Sequence, residues 1–513
     1  MTPIRHGLPL QRTYGGGVLE MALLLTLSGP PAPAVQVRNG AAIVTVTGHA
    51  HRYRVLIRAA GASWQVAATS QNPRMRIRLT PGRYKARAQR KRRRWGPVGA
   101  ASGWFRMGTP QATPVQYPGD QIWVDPVAGD DAAAGGSTTP VRTVTEAWRR
   151  IPEVEPAPVV IMLRAGEHTA APNYWENRRG GTIALVAADG PGTASLREDI
   201  NMFRVANLTI DGVRIHRRGD VFHCERCTNI TLRRVDFDGL GTAHETIKVN
   251  QSDGIAIVDS RISGSYENAI DFVAVHGGVI KGNDISQAQD WCAYVKGGSA
   301  SIEVRGNTIH HCGTGGFTAG QGSGLEYMVA PWLTYEAMDI GVYDNLIHDT
   351  EGAGLGVNGG FHIRMSDNVL VRVGSRSHTL EFVHGARSCD GDVTACQVRT
   401  AAGGWGAVGM DGQYIPNRDV WFGNNVIANP AGQPSRWQQV TVAEDVTPPP
   451  GSNVPNPARA DDGLVITNNI FWNQAPDSGY PLAASNRVNT VDPRIDPQTL
   501  RPSVTLAPVP VPP

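Results

Sequence analysis

The sequence predicts an all-β protein: a right-handed parallel β-helix, a solenoid, over residues 122–490, preceded by a small β-sandwich over residues 31–108. Three observations predict it. Glycine and proline number 59 and 36 among 513 residues, with no fixed period, and only 18% of the side chains are charged, so the chain is rich in turns. Between about Pro31 and Met107 the short segments AVQV, AIVTVTG, YRVLIRA, WQVAAT, RMRIRL, RYKARAQ and GWFRM are separated by turns, the spacing of a sandwich. Further along, one pattern recurs from NLTIDGVRI to GLVITNNIF.

Aligned on their final apolar residue, the recurring segments give Ile215, Phe237, Ile262, Ile285, Ile309, Ile347, Leu370, Ile427 and Phe471. Most successive spacings are 22 to 25 residues, the length of one coil of a parallel β-helix; spacings of 38, 57 and 44 mark inserted loops. Asn283, Asn307, Asn345, Asn368, Asn425 and Asn469 precede the last strand of their repeats. A tight turn there needs a left-handed or side-chain-bonded residue, so these asparagines are read as structural. Ile122 to Trp148 reads as strand, Gly/Asp loop and short helix, and resembles the entry segment of pectate-lyase-like β-helix proteins, whose first helix caps the open end of the core.

The remaining segments are simpler. Residues 1–30 place Arg5 and Arg12 before a short apolar run, Met21 to Leu27, and then PPAPA, which reads either as a secretory signal or as an attachment segment. The basic run Lys85 to Arg94 is of a kind that binds a polyanion, but in a strand and hairpin it reads rather as a solvated face; residues 109–121 read as a linker, and residues 491–513, ending APVPVPP, as an extended tail.

A net charge of +3 excludes a nucleic-acid coat, and no apolar run is long enough to predict a membrane-spanning helix. Cys389 and Cys396 bracket a polar loop that a disulfide could close, while Cys224 and Cys227 lack the second half of a zinc site and are expected to be bridged or buried. Such cysteine usage favours an extracellular, periplasmic or cell-surface location, with a virion as the alternative.

A second strand family carries the chemistry. In Ile247–Asn250, Ile270–Val273, Ala293–Lys296, Leu355–Asn358 and Leu380–Val383 the first and third residues are apolar and point inward. Stacking then gives one outward row of Lys248, Asp271, Tyr294, Gly356 and Glu381, and beside it Asn250, Val273, Lys296, Asn358 and Val383. Rungs about 4.8 Å apart make three of them span roughly 10 Å, about two sugar rings. Gly352, Gly354, Gly356, Gly359 and Gly360 would keep the neighbouring floor low. Inserted loops would bring Glu326, Trp332, Glu351, Arg376 and His378 to the same region.

The stretches GGFTAGQGSGLEYM, HDTEGAGLGVNGG and GSRSHTLEF resemble bacterial right-handed parallel β-helix proteins of the pectate-lyase-like superfamily, over about Ile122 to Phe471. Leu79 to Tyr84, LTPGRY, resembles the tyrosine corner of a fibronectin type III module. The superfamily resemblance implies a carbohydrate-active protein, since lyases, hydrolases, epimerases and phage spikes share this fold. In its lyases an acidic polysaccharide is cleaved by β-elimination: the uronate carboxylate is neutralised, often by Ca²⁺, and a basic side chain removes the adjacent proton.

Lys296 is the leading proton acceptor and Lys248 its rival. Only five lysines occur, and both of these fall in the two rows. Tyr294 would protonate the leaving oxygen, and Arg376 or His378 would hold the carboxylate. Asn250, Asp271, Asn358, Glu381 and Trp332 would bind the chain, and Asp271, Glu326 and Glu351 are of the type that ligates Ca²⁺. A polygalacturonase-type hydrolase is less attractive, because Asp271 has no second carboxylate beside it in this alignment. The alternatives are a trimeric virion spike gripping a host polysaccharide, and a non-enzymatic adhesin.

Overall fold

A computed structural model describes residues 32–107 and 116–512, apart from 39–40, 48, 60–63, 79–81, 93, 99, 103–104, 390, 407–412, 474–478 and 505–506. The signal or attachment segment expected over residues 1–30, and most of the expected linker, lie outside the described residues. The chain divides into two units, Met1–Val115 and Gln116–Pro513.

The first unit holds two antiparallel sheets. One orders Ala34–Arg38, Ala41–Thr45 and Arg74–Arg78; the other orders Gln65–Ser70, Arg52–Ala59, Gly82–Lys91 and Phe105–Met107. Val44, Val55, Ile57, Met75, Ile77 and Tyr84 share one buried cluster, so the expected sandwich is present. Along Gly82–Lys91, Tyr84, Ala86 and Ala88 are buried while Lys85, Arg87 and Gln89 are not, which makes the basic run an outward strand face. Tyr84 is buried, but Leu79 to Pro81 lie outside the described residues, and the type III resemblance remains a reading of the sequence.

The second unit is a right-handed parallel β-helix. Each coil contributes three strands that pair in parallel with the same strands of the next coil. All nine anchor residues stand opposite one another: Ile215 faces Phe237, Phe237 faces Ile262, and the series continues through Ile285, Ile309, Ile347, Leu370 and Ile427 to Phe471. Phe222, Phe237, Phe272, Phe317, Phe382, Phe422 and Phe471 fill the interior, each burial stabilising by about 1.5–3 kcal/mol. The short helix Val144–Arg149, capped by Thr143, buries Val144 and Trp148, and the Trp148 ring lies 4.8 Å from Trp175 at the open end of the core.

The asparagines form a ladder, and the left-handed residue of each turn is the one before. Gly282, Gly306, Asp344, Asp367, Asn424 and Asn468 take φ between 53° and 70°. The following Asn is buried, and its Oδ1 accepts from the backbone N–H and the side-chain amide of the Asn one coil earlier, at 2.8–3.1 Å, from Asn283 through Asn307, Asn345, Asn368, Asn425 and Asn469 to Asn486. Of the two possibilities open in the sequence, side-chain bonding is the one realised.

All six cysteines are bridged, as Cys224–Cys227, Cys292–Cys312 and Cys389–Cys396, which removes the zinc half-site. The C-terminal residues are docked on the coils. Ile495 and Leu500 pack on Leu346, Val369 and Val371, and Val509 exchanges hydrogen bonds with the Asn424 side chain at 2.9 Å in both directions. Among the described residues no helix is long and apolar enough to cross a membrane.

The ladder makes a direct prediction. Asn345→Ala leaves the Asn307 donors and the Val304 carbonyl without their partner, at about 1–3 kcal/mol per buried group. A clearly lower urea midpoint than that of the exposed-bend control Asn173→Ala is expected; equal midpoints would show the ladder to be energetically idle.

Candidate functional site

The third strand of each coil builds the face predicted to carry chemistry. Its outward row runs Asn201, His223, Lys248, Asp271, Tyr294, Thr318, Gly356, Glu381 and Thr441. The sequence alignment omitted the rung Gly315–Gly320, which places Thr318 between Tyr294 and Gly356. Phe317, Thr318 and Ala319 carry the same alternation, but the flanking glycines obscure it.

Outward does not mean exposed. Tyr294 is 2% accessible, packed with Trp291 and Ala353, and its hydroxyl accepts from the Asn268 amide at 3.1 Å. Burial, with the Asp271 and Glu245 carboxylates nearby, pushes its phenol far above the ordinary value. The expected role of Tyr294 as proton donor to a leaving group is therefore corrected: it is a covered floor member. Asp271 is equally buried and donates nothing; its Oδ2 accepts from Lys248 Nζ at 3.0 Å. Lys248 Nζ also pairs with Glu245 Oε1 at 3.5 Å. Burial opposes the Lys248 ammonium, but the two carboxylates outweigh it and raise its pKa, so Lys248 is a fixed cation and not a proton acceptor.

Lys296 differs. Its Nζ donates to Gln321 Oε1 at 2.9 Å and lies 4.5 Å over the Tyr294 ring, and it has no ion pair among the described residues. Both partners are neutral. Lys248, Asp271, Asn250 and Lys296 line a cleft of about 810 Å³ whose far wall includes Glu326 and Arg387.

That wall is built by the insertions after the third strands. Gly322–Gly324 pairs with Gly385–Ser388, which pairs with Gln413–Ile415. A fully buried ion pair anchors it: Arg387 Nε and Nη2 donate to Glu336 Oε1 at 3.0 and 2.7 Å, while Glu336 Oε2 accepts from Gly297 N and Ser323 Oγ at 3.0 and 2.7 Å. Gly297 directly follows Lys296, so the anchor also fixes the end of the Lys296 strand. Glu326 accepts from Gly391 N at 2.9 Å within this wall.

On its other side the floor runs into a second cleft of about 360 Å³, again lined by Lys248 and Asn250, with His223, His244, Glu245 and Asp220. Asn250 Nδ2 lies 3.3 Å from His223 Nε2. His244 joins Glu245 through Nδ1 and Glu267 through Nε2, the latter at 3.0 Å. Burial raises the Glu245 carboxyl, with Asp271 adding to it against Lys248. Burial works against charge on His244, but Glu245 and Glu267 outweigh it and its pKa is raised. The aligned segments exclude Glu245 and His244, which lie just before Ile247 in the strand Asp236–Val258, Gln321, which follows Gly315–Gly320, and His223, which belongs to an earlier rung. The strand pattern does repeat in FHCE, one coil before IKVN, and is the signal that could have found His223.

Other expected residues are not brought together. Glu351 and Arg376 pair with each other at 3.3 Å in exposed turns that precede the third strands, whereas the wall follows those strands; the two sets leave opposite edges of the sheet. His378, in the same turn as Arg376, packs on Trp437 at 5.1 Å. The Trp332 ring packs near His276 and does not line the cleft. Asn358 and Glu381 form a separate network with Thr318 farther along the face. The glycines serve packing more than access: a Cβ on Gly352 would fall 1.6 Å from the Thr314 carbonyl oxygen, and one on Gly354 2.7 Å from Leu370.

The calcium set Asp271, Glu326 and Glu351 does not converge. Asp271 is held by Lys248, Glu326 lies in the wall, and Glu351 lines a different cleft. Two groups of ligand-type side chains do cluster among the described residues, and neither contains this trio. In one, Glu326 meets Cys389 and Cys396, whose sulfurs are bonded to each other; in the other, His244 has both ring nitrogens engaged by Glu245 and Glu267.

Two outcomes follow from this geometry. Glu336→Gln leaves Arg387 buried without its counter-charge; a loss of about 3–5 kcal/mol is expected, with protease cutting of residues 384–417 preceding global unfolding. His244 favours the folded state while protonated, so its contribution is present below its unfolded pKa and fades as pH rises through the higher folded value. His244→Gln is therefore expected to lower the urea midpoint at pH 5.5 and to match the parent at pH 9.

The sequence family described as a right handed beta helix region matches residues 199–336. No curated protein matches the chain. Among solved structures, the A-module of a mannuronan C-5 epimerase from Azotobacter vinelandii is similar at 12% identity and a TM-score of 0.40, covering 64% of this chain and 89% of that one. The family 28 exopolygalacturonase of Yersinia enterocolitica is similar at 8% identity and a TM-score of 0.38, covering 90% and 99%. A pectate lyase is similar at 12% identity and a TM-score of 0.32, covering 72% and 83%. The second unit is thus a right-handed parallel β-helix by its coil pairing and by its family match.

Proposed function

We propose that this protein binds an acidic polysaccharide across the third face of its β-helix and cleaves it by β-elimination. The observation that carries this reading is the contrast between the two floor lysines. An amine accepts a proton only in the fraction that has already lost its own, and a carboxylate partner shrinks that fraction. Lys248 has two such partners, whereas among the described residues Lys296 meets the Gln321 amide and the Tyr294 ring and no carboxylate.

In the proposed reaction the uronate carboxylate is met by the Lys248 ammonium and by Arg226, an exposed cation lining the same cleft; Arg376 and His378 are replaced in this role. Neutralising that carboxylate makes the neighbouring C–H more acidic. Lys296 Nζ takes the proton, the C–H electron pair forms a carbon–carbon double bond, and the bond to the glycosidic oxygen breaks. The leaving oxygen is protonated by water, and Asn250 holds sugar hydroxyls. Three disulfides support an oxidising location, extracellular, periplasmic or at the cell surface, with a virion as the alternative.

A hydrolase is the second reading. It is favoured by one observation: Glu245 and Asp271 stand within 3.5 Å of the same ammonium, so Asp271 is not alone. Glycoside hydrolysis needs two carboxyl groups in different surroundings, and burial raises that of Glu245.

Incubation with a panel of acidic polysaccharides tests both. Elimination yields unsaturated ends seen by ultraviolet absorbance, and Lys296→Ala is expected to lower kcat by about 10²–10⁴-fold with the circular dichroism unchanged. Undiminished turnover in both Lys296→Ala and Lys248→Ala would refute the lyase. New reducing ends without absorbance, lost in Glu245→Gln, would establish hydrolysis. Binding without turnover by a trimer would instead identify a spike, and by a monomer an adhesin.

A further inference from the structure

The net charge of +3 conceals two opposite charges. Residues 31–115 contain 16 lysines and arginines and not one Asp or Glu, whereas residues 116–513 contain 30 basic and 44 acidic side chains. Packing a small sandwich does not call for such an excess, because like charges repel across the folded surface and reduce its stability.

The strands gather much of this charge on one face. Tyr53, Val55 and Ile57 point into the core, so Arg52, Arg54 and Arg58 point out. Strand pairing sets Arg52 opposite Lys91 and places Arg87 opposite Leu56, on the same outer face. Two indoles support the guanidinium groups: Arg54 lies 4.0 Å from the Trp95 ring centroid, and Arg87 lies 4.5 Å from that of Trp64. A stacked guanidinium loses less freedom on binding and stays charged, which suits a carboxylate or sulfate. At one end of the face His51, Arg52, Gln71, Lys91 and Arg92 line a shallow cleft of about 490 Å³.

We infer that this sheet face is a second binding site, for an anionic polysaccharide carrying carboxylate or sulfate groups, which holds the protein on its polymer. The choice of polysaccharide rests on the reading of the groove given above; the choice of a polyanion does not. Single-stranded nucleic acids stack their bases on open aromatic faces. Here guanidinium groups stack on both indoles, so the face offers cationic charge in place of a stacking platform. A second, weak hold on a long chain raises the effective concentration of its sugars at the groove without any new contact there.

The test uses the full-length protein carrying Lys296→Ala, so that polymer is bound and not consumed, in affinity electrophoresis against polygalacturonate, alginate, heparin, a neutral glucan, and single- and double-stranded DNA. At least one acidic polysaccharide is expected to retard the protein, the neutral glucan not, and added salt to weaken the effect. Combined Arg52→Gln, Arg54→Gln, Arg87→Gln and Lys91→Gln is expected to weaken retardation about tenfold. The exposed-turn variant Arg92→Gln with Arg94→Gln, which touches no core residue, is expected to weaken it in the same direction. Retardation unchanged in both variants would overturn the inference, as would tighter binding to DNA than to every acidic glycan. On the Lys296-containing protein the face variants are expected to keep kcat on short oligosaccharides while raising KM on polymer. If no glycan is cleaved and the variants still lose retardation, the groove reading fails and this one stands.

Discussion

Because each coil hydrogen-bonds in register to the one before it, the place of a side chain on the solenoid is set by its position within a coil and not by its distance along the chain. Residues 23 positions apart, such as Lys248 and Asp271, become neighbours on one rung pair. A slip of one residue would turn every outward group inward. The asparagine ladder opposes such a slip at one corner, since each amide has a partner only when the next coil is aligned. Phenylalanine stacking inside the coils works in the same direction, through volume instead of direction. The functional face is therefore inherited from the register, and its chemistry is a list of what happens to occupy one column.

Within that column, burial and charge sort similar residues into different roles. Two lysines lie on one floor, yet one is neutralised by Glu245 and Asp271 and the other is bounded by an amide and an aromatic ring. The distinction comes from neighbours contributed by three separate coils and an insertion. It also explains why the floor tolerates a buried aspartate: the ammonium that pairs with it remains partly accessible and keeps its charge.

Much of this was legible in the sequence. The nine anchors, the inserted loops and the outward rows all follow from period-two alternation and repeat spacing, and they agree with the observed pairing apart from the omitted rung Gly315–Gly320. What was not legible has physical causes. Alternation says which side of a strand a residue leaves from, but not whether a neighbouring coil then covers it, so Tyr294 and Asp271 are outward and buried together. Loop length says that Glu351, Arg376 and Trp332 belong to excursions or turns, but not which edge of the sheet those leave. Glu245 falls outside the aligned segment that begins at Ile247, and only the folded strand shows that it reaches Lys248. In the rung around Thr318 glycines flank Phe317 and hide its alternation, because there is no room for a side chain beside it: a Cβ on Gly315 would fall 2.2 Å from the Trp291 ring.

The wall beside Lys296 is held mainly by bonds among its own parts: the pairing of Gly322–Gly324, Gly385–Ser388 and Gln413–Ile415, the Cys389–Cys396 bridge, and the Glu336–Arg387 pair that roots them next to Gly297. The height of the rim and the pitch of the scaffold beneath it are thus separable quantities. Descendants of this gene could lengthen, trim or recolour the rim, and so change which polymers fit, while the load-carrying stack of coils stays as it is.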